Sequence, residues 1–106
     1  QREILTYLQY NYTEPLRLET LAEQFHLSEK YLSRYFKQHF HLTLTQYLMH
    51  LRLTHACHLL ESTSLPVTEV ALQSGFPNVS HFIRSFHASF RMSPLQYRKK
   101  RDQSFT

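Results

Sequence analysis

The sequence predicts an all-α fold built from two copies of one small helical module. Three observations carry this. Leucine occurs 17 times against five valines and isoleucines together, and one glycine and four prolines are the only strong breakers in 106 residues. Leucine forms helices readily, whereas the β-branched residues that favour strands are scarce. Apolar residues recur at spacings of three and four, the period of a helix with one buried face. That pattern is also written twice, with an offset of about 50 residues.

The elements follow in order. Ile4, Leu5, Leu8 and Tyr12 make a first amphipathic stretch, closed by Thr13, Glu14 and Pro15. Leu18, Leu21, Ala22 and Phe25 predict a short second helix. A third begins after Ser28, with Leu32, Tyr35, Phe36 and Phe40 on one side. Thr43 to Gln46 has the form of a capping box, in which the Thr43 side chain caps the helix and Gln46 reaches back. Tyr47, Leu48, Leu51, Ala56, Leu59 and Leu60 continue as a long linker helix over about 44–61, roughly 25 Å by helical rise.

Beyond Pro66 the same signals return. Leu18, Leu21 and Ala22 recur 49 residues later as Val67, Val70 and Ala71. Ser28, Leu32, Arg34, Phe36, Phe40, Thr43, Gln46 and Tyr47 recur 50 later as Asn78, Phe82, Arg84, Phe86, Phe90, Ser93, Gln96 and Tyr97. The offset grows by one inside the turn, so the second turn is one residue longer. Two copies are too few for a solenoid, which needs about three units to cover its faces. The reading is one helix-turn-helix at about 18–40, the linker helix, a second helix-turn-helix at about 67–90 and a C-terminal helix at about 94–101.

The glycine explains the module. Gly75 stands in the second turn, where the chain needs a left-handed backbone that glycine adopts without cost. His26 holds the matching place, and histidine is among the few other residues enriched in that conformation. Behind each turn comes a helix with a polar stripe. Lys30, Ser33, Arg34 and Lys37 follow i, i+3, i+4, i+7 opposite Leu32, Tyr35 and Phe36. Ser80, His81, Arg84 and His87 are expected to form the equivalent stripe opposite Phe82, Ile83 and Phe86. Arg at one place in both copies, on the second helix of a helix-turn-helix, points to base edges in a major groove, where Arg pairs with guanine O6 and N7. Two such helices on a stiff linker predict successive grooves about 34 Å apart on one face of double-stranded DNA, and an asymmetric site.

Charge agrees with a polyanionic partner. Twelve Lys and Arg oppose eight Asp and Glu, a net charge of +4. No acid occurs between Glu69 and Asp102, where Arg84, Arg91, Arg98, Lys99, Lys100 and Arg101 all fall. Cys57 is the single cysteine, so no internal disulfide can form and a reducing cytoplasm fits. No apolar run approaches the roughly 18 residues of a membrane span. His55 and His58 lack further ligands at zinc spacing, so no metal or other cofactor is expected, and no nucleophile or paired-carboxylate arrangement suggests an enzyme. Arg52, between Leu51 and Leu53, is read as a structural hydrogen-bonding residue. The chain opens on Gln1 and enters a helical pattern almost at once, and is read as part of a longer protein.

Three stretches carry a family resemblance: "LAEQFHLSEKYLSRYFK" at 21–37, "YLMHLRLTHACHLL" at 47–60, and "GFPNVSHFIRSFHASFRMSPLQYR" at 75–98. From Leu18 to Arg98 the sequence resembles the DNA-binding domain of the AraC/XylS family of bacterial transcription regulators. The resemblance implies seven helices and base contacts from Lys30, Ser33 and Arg34 in the first unit and Ser80, His81 and Arg84 in the second. Val79 stands at a family contact position but has no side-chain hydrogen bond to offer. The family often has Lys at the place of His87 and Gly at the places of His26, His41 and Arg91, which bears on phosphate contact at the first and helix-end geometry at the others. It further implies the output domain of a cytoplasmic activator, with RNA polymerase as a partner and an effector or receiver domain on the N-terminal side. A helical protein-interaction module with a basic face is the competing reading, and the repeated arginine argues against it.

Overall fold

Capping decides where the helices start and stop. A computed structural model describes residues 2–103, with side chains described for residues 2–100. Seven helices occur among the described residues: α1 (Arg2–Asn11), α2 (Leu18–Gln24), α3 (Glu29–Phe40), α4 (Leu44–Ser62), α5 (Val67–Gln73), α6 (Val79–Phe90) and α7 (Pro94–Gln103). No strand is present among them. Arg101, counted above in the basic C-terminal run, lies outside the described side chains.

Both predicted capping boxes form. The Gln46 N–H donates to Thr43 Oγ1 at 3.1 Å while the Thr43 N–H donates to Gln46 Oε1 at 2.9 Å. Ser93 and Gln96 repeat the exchange at 3.1 and 2.8 Å. Each box satisfies two backbone donors that a bare helix start leaves open, and so starts α4 and α7.

The chain divides inside α4 into two units, Gln1–Leu51 and Arg52–Thr106. In the first, α2 packs on α3, and the core gathers Ile4, Leu8, Leu21, Ala22, Leu32, Phe36, Leu44 and Leu48. In the second, α5 packs on α6 and α6 on α7, with Leu53, Ala56, Leu60, Val70, Ala71, Phe76, Phe82 and Phe86 buried.

The repeat is visible in the packing. The rings of Phe36, Phe40 and Tyr47 form a triangle with centroid separations of 5.8, 5.5 and 5.1 Å. Phe86, Phe90 and Tyr97, each 50 residues later, form the same triangle at 4.6, 5.5 and 6.0 Å. Phe36 and Phe86 are both fully buried, and truncating either would cost about 3–5 kcal/mol. These rings lock the second helix of each unit against the helix that follows it, which leaves the opposite side of α3 and of α6 open.

A candidate nucleic-acid interface

The turns are the part of each unit that aims the second helix, and they are built alike. In the first, the Leu27 N–H donates to the Ala22 carbonyl at 2.8 Å and the His26 N–H to Glu23 at 3.2 Å. In the second, the Phe76 N–H donates to Ala71 at 3.0 Å and the Gly75 N–H to Leu72 at 3.2 Å. This crossed pair is a Schellman closure, and it requires a left-handed residue at its hinge. His26 has φ 58° and Gly75 φ 96°, as expected from the sequence. The turns hold four and five residues, the extra one falling at Pro77.

A side-chain cap then opens each second helix. The Tyr31 N–H donates to Ser28 Oγ at 3.0 Å, and the His81 N–H donates to Asn78 Oδ1 at 2.8 Å. At the other ends His41 (φ 58°) and Arg91 (φ 61°) are left-handed, and their N–H groups close onto Lys37 and His87. Both helices therefore have the same 12-residue length and the same start and stop.

On α3 the four expected residues Lys30, Ser33, Arg34 and Lys37 are all exposed, in one row. On α6 the row is different from the expected one. Ser80, Arg84 and His87 are exposed, but His81 is half-buried. Its ring lies 5.7 Å from that of Phe76, and its Nδ1 is enclosed with no hydrogen-bond partner among the described residues. The place expected for His81 is taken by Ile83, which is 40% exposed and was expected on the core side. The reason is register. Adding 50 to Lys30, Ser33, Arg34 and Lys37 gives Ser80, Ile83, Arg84 and His87, whereas His81 matches Tyr31. The repeat itself held the signal that would have placed Ile83.

Arg34 and Arg84 have no intramolecular hydrogen bond or ion pair among the described residues. The basic end of the chain behaves otherwise. Arg98, counted above in the basic stretch that suits a polyanionic partner, is turned inward: it donates from Nε to Leu60 O at 3.1 Å, from Nη1 to Leu65 O at 2.7 Å and from Nη2 to Thr63 O at 3.3 Å. It closes the C-terminal end of α4, where carbonyls have no helical partner. Beside it the Tyr97 hydroxyl donates to Glu61 Oε2. Burial, then this bond and one to Cys57, push the Tyr97 phenol far above its ordinary pKa. Burial likewise raises the Cys57 thiol above its ordinary value, against a lowering by its hydrogen bond to Tyr97. Lys99 and Lys100 remain exposed. Arg52 is half-buried, and burial pulls its guanidinium below the ordinary value.

Two capped helix-turn-helix units, each presenting an exposed arginine on the open face of its second helix, define a double helix-turn-helix domain of the DNA-binding class. Comparison with known proteins gives the family. A profile described as a helix-turn-helix domain matches residues 21–100. The transcriptional activator RhaS of Enterobacter sp. (strain 638) is 39% identical over 102 residues, covering 96% of this chain and 37% of that protein. The DNA-binding domain of AdpA, a global transcriptional factor solved in complex with a target DNA, superposes with a TM-score of 0.88 at 27% identity, over 93% of this chain and 89% of that one. A transcriptional regulator from Chromobacterium violaceum with an AraC-type DNA-binding domain gives 0.86 at 30%, over 96% and 91%. The chain belongs to the AraC/XylS family of transcription regulators, as their C-terminal DNA-binding domain, and is not an enzyme. It spans just over a third of the length of the activator it matches.

Proposed function

We propose that this chain is the sequence-reading output domain of a bacterial activator, with α3 and α6 entering successive major grooves on one face of the duplex. The observation that carries the reading is the repeat of one device. Arg34 and Arg84 stand at one register behind matching Schellman turns, exposed and without a partner among the described residues. An arginine held by a carboxylate would lose that bond on entering a groove, whereas these two are available to a base or a phosphate. Lys30, Ser33 and Lys37 complete the first reading face, and Ser80 and His87 the second. His81, half-buried against Phe76, adds to the second face with the part of its ring that remains exposed.

Activation implies a contact with RNA polymerase, supported by the activator name of the relative. An effector or receiver domain on the N-terminal side is supported by the share of that relative left uncovered. Cytoplasmic action is supported by the location of a bacterial chromosome, and no helix among the described residues is long and apolar enough to cross a membrane.

The test is selection of duplexes from a random pool by this chain, followed by fluorescence anisotropy. A selected site of roughly 20 base pairs bound by one chain is expected, with tight binding lost when five base pairs are inserted between its halves. Equal affinity for selected and random duplexes would overturn sequence reading. Equal affinity for the spaced site would reduce the mode to one unit.

A further inference from the structure

The second recognition row contains one side chain that can neither donate nor accept a hydrogen bond. Ile83 is 40% exposed between Ser80 and Arg84, all on the open side of α6. Lone exposed apolar residues are ordinary on protein surfaces. Leu72 and Leu95 are more exposed still, but they stand on α5 and α7, outside either recognition row. Position distinguishes Ile83. The first unit fills the same register with Ser33, a hydroxyl among Lys30, Arg34 and Lys37, so the two copies differ here in chemical kind and not only in detail.

A major groove narrows what an isoleucine can face. Base edges there offer hydrogen-bond donors, acceptors and one apolar group, the C5-methyl of thymine. Pressing an aliphatic side chain onto a donor or acceptor strips its water and returns no bond, which is unfavourable. Facing the methyl buries apolar surface on both sides. Isoleucine is also stiff at χ1, so little freedom is lost when it is held against a base.

We infer that Ile83 reads a pyrimidine C5-methyl, that of a thymine, in the half-site of the second unit. The inference rests on the reading of α6 as a groove-entering helix. It makes the two half-sites unlike: the row of the first unit carries only hydrogen-bonding and charged side chains, whereas that of the second adds one methyl contact to Ser80, Arg84 and His87.

The experiment uses duplexes selected by this chain from a random pool. Each thymine in the selected site is replaced in turn by deoxyuridine, which removes only the methyl. At one position in the half-site that responds to Arg84→Ala, the affinity should fall about fourfold, the worth of one buried methyl group. Ile83→Ser should bind the thymine and uracil duplexes alike, and Ile83→Val should keep the preference. At the same position 5-methylcytosine should bind better than cytosine, and only to chains carrying Ile or Val. If Arg84→Ala alters base preference but no thymine responds to loss of its methyl, or the response persists in Ile83→Ser, the assignment of Ile83 is overturned and the groove reading stands. If Arg84→Ala leaves every base preference unchanged, the groove reading of α6 fails and the assignment falls with it.

Discussion

The Arg98 guanidinium donates to the Leu65 carbonyl at 2.7 Å, and the same fork reaches Leu60 and Thr63. The residue that opens the most basic run of the chain thus serves as the closing cap of α4. Thr63 assists it, its hydroxyl donating to Leu59 O at 2.6 Å.

Two kinds of basic residue therefore lie side by side in α7, and they separate experimentally. Arg98→Ala should lower unfolding stability by about 1–3 kcal/mol, because the carbonyls it leaves are half-buried. Urea melts measure this, and Arg98→Lys should recover little, since an ammonium cannot span three carbonyls as a planar fork does. Replacing the exposed Lys99 and Lys100 by Gln should leave the melt unchanged. It should make the log–log salt dependence of duplex binding shallower by up to about one unit per lost phosphate contact.

Helix ends give a second prediction. His41 holds φ 58° without being glycine, and non-glycine residues adopt that region at a cost. His41→Gly is expected to be neutral or to stabilise the chain by up to about 1 kcal/mol, net of the greater freedom glycine has when unfolded. The check is the urea midpoint at constant m-value. A loss above 1 kcal/mol, as a rough bound, would mean that the His41 side chain contributes more than its backbone costs.

Reading is separable from holding at Arg34. Arg34→Ala should cost about 1–3 kcal/mol on a selected duplex and much less on a scrambled one, relaxing specificity at one base pair. Anisotropy titrations of both duplexes over a salt series decide it. Equal weakening on both would make Arg34 a phosphate anchor.

Acid sensitivity should trace in part to His55. Burial, and then the like charge of His58 one turn away, hold its imidazole below the ordinary value. With the folded value below the unfolded one, the unfolded chain takes up the proton first as the pH drops. The stability His55 contributes is complete above the ordinary imidazole value and is lost as the pH falls through the folded value. Melts of wild type and His55→Gln between about pH 7 and about pH 5 should show a shallower decline in the variant. Parallel curves would place the acid loss at other histidines.

What the sequence determined by itself is local. Ser28, Asn78 and the two capping boxes act on partners three residues away, and the turns close over five, so each is complete within a few letters. The duplication then made weak signals strong: His26 in a left-handed turn is legible chiefly because Gly75 stands in the other copy. The tertiary structure alone decided what faces out and what each basic residue is for. A helical period assigns a broad apolar stripe, and residues at its margin go wherever neighbouring helices leave room. Ile83 came out at such a margin, while His81 turned in against Phe76. Arg98 finds its carbonyls 33 to 38 residues back along the chain, a distance across which no periodicity carries information. Local bonds are written in adjacent residues; the use of an exposed or half-buried charge is set by what the fold brings to it.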